Sequence, residues 1–248
     1  MGEDAWVAAE VAVLLAAGAA VLVGAAVQAS VGLGLGLLAA PVFALVDPTL
    51  VPGTILLVTS VLPVLIIARE PGGVDWRGLG WALVGRVPGT TLGVYVVATQ
   101  PPRTTALVVA AVVLGAVVLS VTAWEARPTR RALLVAGAVS GVGGTATSVG
   151  GPPVALLYQR ASPPAMRATM GMYFLIGNVS SILALAVAGE VGQRDVVRGL
   201  LLLPFLLVGF LLSGTLRRHV DTARLRVAVL GLSAASAVLL LLRTLLPA

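Results

Sequence analysis

The sequence predicts an all-α polytopic membrane protein, built from two inverted repeats of about five helical segments each with Gly/Pro-broken half-helices meeting near the midplane. Three observations predict it. Of the 248 residues, 58% are hydrophobic and 10% charged, with a mean hydropathy of +1.06, whereas a soluble domain carries about 25% charged residues. The apolar residues gather into runs close to the roughly 20 residues that a helix needs to cross hydrocarbon. Local features of the first half also recur in order in the second.

Taken along the chain, the first run spans Trp6 to Ala29. It follows Glu3 and Asp4 instead of a basic n-region, so a retained helix is expected and no signal peptide. A Gly-rich stretch, Gly32-Leu-Gly34-Leu-Gly36, leads to Pro41, and segment 31–46 is apolar but short. Val51 to Ala68 follows, closed by Arg69-Glu70. Asp75-Trp-Arg77-Gly78 then opens the run Leu79 to Ala98, and Thr104-Thr-Ala-Leu107 opens Thr104 to Trp124. The halves meet near Glu125 to Arg131.

The second half repeats the order. Ala132 to Val149 runs into Gly143-Gly144…Gly150-Gly151-Pro152-Pro153 and the short segment 152–160. Ala168 to Ala188 is closed by Glu190. Asp195-Val-Val-Arg198-Gly199 opens the run Val197 to Thr215, and Thr222-Ala-Arg-Leu225 opens Leu225 to Leu242. The expectation is one transmembrane permease domain over 1–248, with repeat 1 about 6–124 and repeat 2 about 132–246.

The short segments 31–46 and 152–160 are either re-entrant half-helices or parts of a crossing, and arginine placement separates the alternatives. If each returns with its preceding helix to the starting side, Arg69, Arg77, Arg127, Arg130, Arg131, Arg160, Arg167, Arg217, Arg218, Arg224 and Arg226 share one face. The other face then carries Arg103, Arg194, Arg198 and Arg243. The positive-inside rule favours this lopsided split over an even one. It places both termini outside and inverts the second half, as in many secondary transporters. Trp6, Trp76, Trp81 and Trp124 fall near run ends, where indoles prefer the interface.

The net charge of +6 does not indicate a nucleic-acid partner, because the arginines sit in short inter-helix loops and form no patch that could track a phosphate backbone. Cysteine is absent, which excludes disulfides, Cys-ligated zinc and thiol catalysis. The single His219, in Arg217-Arg218-His219, is expected in a solvated loop and not as a metal ligand. No HExxH, Walker A or GxSxG signature and no pair of carboxylates within the spans supports an enzyme, and no cofactor is expected.

A broken helix at membrane depth leaves backbone groups unpaired, so it persists only inside protein or beside a cavity. The first break offers Gln28 and Ser30 before Gly32 and Gly34. The second offers Ser140, Thr145, Thr147 and Ser148 before Gly150 and Gly151. Pro152 and Pro153 suit the first turn of a helix, and a half-helix N-terminus favours an anion. These glycines either form a substrate site or serve close packing, and Gly85-x-x-x-Gly89-x-x-x-Gly93 reads as packing. Within spans, Arg86 either snorkels or faces a cavity. Arg167 opens the helix holding Tyr173 and Asn178, and Asn178 either binds substrate or pins two helices. Asp47, Glu190 and Asp195 lie near helix ends, which leaves the coupling ion, proton or sodium, undetermined.

The run Gln28-Ala-Ser-Val-Gly-Leu-Gly34, with Pro41, Asp47-Pro48 and Val51-Pro52-Gly53, resembles the first motif of the TauE/SafE sulfite exporter-like permeases. Thr147-Ser-Val-Gly-Gly-Pro-Pro-Val-Ala-Leu-Leu157, Arg167-Ala-Thr-Met170 and Tyr173-Phe174 resemble the second, and the likeness covers almost the full chain. The resemblance implies an inner-membrane permease of a bacterium, moving sulfite, an organosulfonate or a related small anion, with export as the expected direction. Leu33 and Leu35 interrupt the family's tighter glycine run, and Pro63 replaces a plain helical residue. The substrate-binding set expected is Gln28, Ser30, Gly32, Gly34, Thr147, Ser148, Gly150, Gly151, Pro152, Arg167, Tyr173 and Asn178. Partners expected are a small anion, the lipid bilayer and a coupling ion, with a homodimer left open. A channel-like uniporter or the membrane subunit of a partner-dependent system is the alternative.

Overall fold

The computed structural model describes residues 3–69, 73–121, 127–219 and 222–246, and side chains for all of these except 3–7, 102, 217–219 and 222–226. The first half contains α1 (Glu3–Val31), α2 (Leu35–Val46), a 3-10 turn (Pro48–Leu50), α3 (Gly53–Arg69), α4 (Trp76–Thr99) and α5 (Pro102–Val121). The second contains α6 (Arg130–Thr147), α7 (Gly151–Leu157), α8 (Pro163–Val187), α9 (Gln193–His219) and α10 (Thr222–Leu245). Among the described residues there is no strand, as expected for an all-α protein.

Polarity is distributed as in a protein dissolved in lipid. Outward positions are apolar, with Leu211, Val227, Val87 and Leu183 all more than 60% exposed. Many polar side chains instead lie inside, among them Gln28, Thr59, Arg86, Thr145, Asn178 and Ser181. Five helices are long and apolar enough to span: Ala8–Val31, Arg103–Val121, Pro163–Val187, Gln193–Leu216 and Val227–Leu245. The chain is a multi-pass membrane protein.

Local chemistry sets the helix ends. Asp75 caps α4 by accepting from Gly78 N at 3.0 Å, and Thr129 caps α6 by accepting from Ala132 N at 3.3 Å. Each satisfies a donor that the first helical turn leaves unpaired. Pro41, Pro63, Pro88 and Pro204 stand inside helices, which neighbouring helices and local adjustments tolerate at membrane depth.

Two helix pairs pack most closely, α4 with α6 and α1 with α9. A Cβ on Gly85 or Gly89 would run into the carbonyls of Leu134 and Ala138, and one on Gly93 would lie 2.8 Å from Thr145 Cβ. The glycine stripe therefore serves helix contact, as its spacing predicts. The other pair matches it: Gly209 abuts the Leu22 carbonyl and Gly18 the Phe205 ring. Because α4 and α9 hold corresponding places in the two halves, as do α1 and α6, the same contact is made twice with partners exchanged.

Contacts at the two ends fix the course of the short helices. At one end Arg198 of α9 pairs with Asp47 at 3.2 Å and Glu10 at 3.5 Å, so α2 finishes beside the beginning of α1. Thr54 donates to Asp195 at 2.9 Å and Arg103 to the Thr244 carbonyl at 3.2 Å at this same end. At the opposite end Tyr158, just past α7, donates to Asp75 at 2.9 Å, and Arg130 stacks 3.6 Å over the Trp81 ring. Hence α7 finishes beside the beginning of α6. Burial, followed by the hydrogen bond and charge of Asp75, pushes the Tyr158 hydroxyl pKa up, which keeps it a donor.

Several expectations are revised. α9 runs to His219, so Arg217, Arg218 and His219 belong to a helix end and not to a loop. α8 begins at Pro163, which puts Arg167 in its second turn instead of at its start. Trp76 stands exposed at the start of α4, the helix end expected for it, and Trp81 is covered by Arg130. Glu70, Trp124, Glu125 and the Trp6 side chain lie outside the described residues.

Candidate functional site

The two breaks are built alike. α1 stops at Val31 and α2 starts at Leu35, and Gly32 and Gly34 between them take φ of 94° and 147°. L side chains rarely adopt such values, so glycine is required there. α6 stops at Thr147 and α7 starts at Gly151, with Ser148 in the left-handed region at φ 60°. A non-glycine residue held so is strained, a feature that clusters at functional positions. Side chains tie off freed backbone groups. Gln28 Oε1 accepts from Leu35 N at 3.0 Å, and Thr147 Oγ1 accepts from Val149 N at 3.2 Å while donating to Gly143 O at 2.7 Å.

The breaks touch each other. Gly36, in the first turn of α2, lies directly against the Ser148 carbonyl, and a Cβ on Gly151 would sit 2.6 Å from Leu33 Cδ2. Between them is a cavity of about 20 Å³ lined by Gln28, Gly34, Ser148, Gly151, Pro152 and Asn178, together with Leu33, Gly36, Leu37, Thr59, Val149 and Phe174. That volume holds about one water. Its polar wall is continuous: Asn178 Nδ2 donates to Thr59 Oγ1 at 3.2 Å, and Thr59 and Ser148 share a hydrogen bond of 2.9 Å.

Larger cavities open toward the two ends. At the arginine-rich end a space of about 530 Å³ is lined by Ser30, Gln159 and Arg167, and shares Leu33, Gly34 and Leu37 with the central cavity. At the opposite end a space of about 430 Å³ is lined by Thr49, Gln100, Thr105, Glu190 and Asp195. Among the described residues it shares no lining residue with the centre.

Six of the sequence-predicted residues thus meet at the centre: Gln28, Gly34, Ser148, Gly151, Pro152 and Asn178. The others do not line it. Ser30 and Arg167 line the arginine-rich cavity, and Gly32 sits at the turn, near the Arg167 stem. Thr147 is engaged with its own backbone. Gly150 packs on α6, where its carbonyl accepts from Ser140 Oγ. Tyr173 is fully buried elsewhere, its ring centroid 5.1 Å from the Arg86 guanidinium carbon. Sequence reasoning missed Thr59, for which the signal was a polar side chain in the middle of the run Val51 to Ala68.

Arg86 does not snorkel. It is 2% exposed on α4, and a Cβ on Gly177 of α8 would fall 2.5 Å from its guanidinium carbon. Its Nη2 donates to Ser181 Oγ at 3.3 Å, and Ser181 shares a 2.8 Å hydrogen bond with Thr145. Nε and Nη1 have no hydrogen-bond partner, nor do the buried hydroxyls of Thr90 and Tyr173. Among the described residues no carboxylate pairs with Arg86. A buried charge without a counter-charge costs several kcal/mol, of which a desolvated cation–π contact returns about 2 kcal/mol.

The family model described as Sulfite exporter TauE/SafE matches residues 16–240, a stretch that includes both breaks and both halves. The chain belongs to the TauE/SafE sulfite exporter family. No curated protein and no solved structure matches it. Within this TauE/SafE protein the matched stretch contains every residue lining the central cavity. The structure also qualifies the helix-dipole argument for an anion at the breaks. The Leu35 N–H of α2 is taken by Gln28, and α7 is seven residues long with Pro152 and Pro153 removing two of its first donors. Arg86 is a buried cation beside the second break, its Nη2 lying 2.7 Å from where a Cβ on Gly144 would sit.

Proposed function

We propose that the protein is a secondary transporter of a small anion, with sulfite, an organosulfonate or a related sulfur oxyanion as cargo, and that the whole chain works as one permease domain of two inverted repeats. The observation that carries this reading is the meeting of both breaks around Thr59, Ser148 and Asn178. Duplicated halves that each contribute a broken helix to one midplane site are the expected arrangement for alternating access. Inversion is supported by the end contacts. Since α2 and α7 each return to the side from which α1 and α6 start, each half makes an odd net number of crossings, and the second half enters from the side opposite the first.

The cargo site in this reading is the central cavity, which must expand from its contracted state to admit an anion. Ser30, Gln159 and Arg167 form the approach on the arginine-rich side, which the positive-inside rule makes cytoplasmic. Cytoplasmic loading suits export through the bacterial inner membrane, driven by a coupled proton or sodium ion or by the membrane potential. A contracted centre walled from the opposite cavity favours a transporter over an open channel.

Counterflow tests this. Proteoliposomes preloaded with unlabelled sulfite should transiently accumulate labelled sulfite above equilibrium, and taurine, thiosulfate or sulfate should compete according to fit. Flux that rises linearly with concentration and shows no counterflow would contradict a transporter.

A further inference from the structure

We propose that Arg86 is the fixed positive charge that neutralises the transported anion at the midplane, with Tyr173 and Thr90 as its neighbouring polar groups. This rests on reading the meeting point of the breaks as the transport site. Arg86 is charged, almost fully buried, and has two guanidinium nitrogens, Nε and Nη1, without a hydrogen-bond partner and no paired carboxylate among the described residues. Buried polar groups almost always find partners, and an exception calls for a missing ion or water. Among the described residues four of the five such atoms gather here, Arg86 Nε and Nη1, the Thr90 hydroxyl four residues further along α4, and the hydroxyl of Tyr173, whose ring the guanidinium covers; the fifth is the Ser233 hydroxyl of α10. All four carry N–H or O–H donors without an acceptor, which an oxyanion supplies and a cation cannot.

The location fits. Gly177 gives the guanidinium access to the α8 backbone next to Asn178, and Asn178 lines the central cavity. Ser181, which accepts from Arg86, is one helical turn along α8 from Asn178, and Thr145, in the last turn of α6, precedes Ser148 of the break by three residues. Two short polar chains therefore run side by side, Arg86–Ser181–Thr145 and Asn178–Thr59–Ser148. An anion that widens the cavity between α6 and α8 gains the second chain and its charge. Arg86 is then the origin of anion selectivity.

The test measures sulfite-dependent thermal stabilisation of the purified protein in detergent alongside sulfite flux in proteoliposomes, for wild type, Arg86→Gln and Arg86→Lys, with the zwitterion taurine as a second probe. Arg86→Gln should weaken apparent sulfite affinity by about tenfold or more and reduce the preference for sulfite over taurine. Arg86→Lys should recover part of both. A purely structural arginine would change melting temperature without changing that preference. Wild-type flux with unchanged affinity and preference in Arg86→Gln overturns this inference and leaves the transport reading standing. Wild type that is neither stabilised by sulfite nor able to move it overturns both. If Arg86→Gln fails to fold, Gly177→Ala, which pushes on the guanidinium without removing its charge, should weaken affinity, and unchanged affinity there overturns the proposal.

Discussion

Asn178 of α8 donates to Thr59 of α3 at 3.2 Å, and Thr59 meets Ser148 of the second break at 2.9 Å, so three separate elements join in the wall of one small cavity. The amide that holds α3 and α8 together also faces the space, which joins the two roles its sequence position allows. A carboxylate placed there would repel an anion in a low-dielectric setting. Asn178→Asp is expected to cut sulfite flux by roughly tenfold or more at unchanged membrane insertion. Asn178→Ala is expected to lose about 1 kcal/mol of stability, read by thermal unfolding in detergent.

At Gly151 any side chain would enter the cavity within 2.6 Å of Leu33 and 2.7 Å of the Phe174 ring. Gly34, at φ 147°, strains any L residue. Gly151→Leu and Gly34→Leu should therefore abolish flux while membrane yield stays near wild type. Retained flux in either would separate the breaks from transport.

Not all glycines should behave so. Gly89 lies against the α6 backbone, whereas Gly115 and Gly231 face open space. Gly89→Leu is expected to lower stability by about 1–3 kcal/mol through forced helix separation. Gly115→Ala and Gly231→Ala should be neutral or stabilising by up to roughly 1 kcal/mol. Unfolding midpoints of the purified variants decide it.

The absence of cysteine gives a clean background for topology mapping. Arg103→Cys should react with an impermeant thiol reagent added outside cells, and Arg130→Cys only after permeabilisation. The reverse pattern would invert the export assignment.

Much of this fold was legible because lipid imposes it. Apolar runs of spanning length, the Asp75 and Asp195 helix openings and the two Gly/Pro breaks are statements about backbone satisfaction, which composition exposes directly. The family motifs sat on those same residues. The site was legible in part. Gln28, Ser148 and Gly151 stood at or beside the breaks and Asn178 within the later span Ala168 to Ala188, and the structure brings them together. Thr147 stood as near a break as Ser148, and Tyr173 in the same span as Asn178, but both point to other partners, because helix phase and not sequence distance decides what a side chain meets. Arg86 was visible as a charge within a span, yet its neighbours Gly177, Ser181 and Tyr173 come from a helix some ninety residues away in the chain. Only packing of α4 against α6 and α8 turns a candidate for snorkelling into a buried cation.

The most direct measurement is saturable sulfite uptake into proteoliposomes containing wild-type protein and, in parallel, Gly151→Leu. The account expects saturable uptake with counterflow in wild type and none in the variant. Uptake that does not saturate, or that survives in Gly151→Leu, would contradict a transport site at the meeting point of the two breaks.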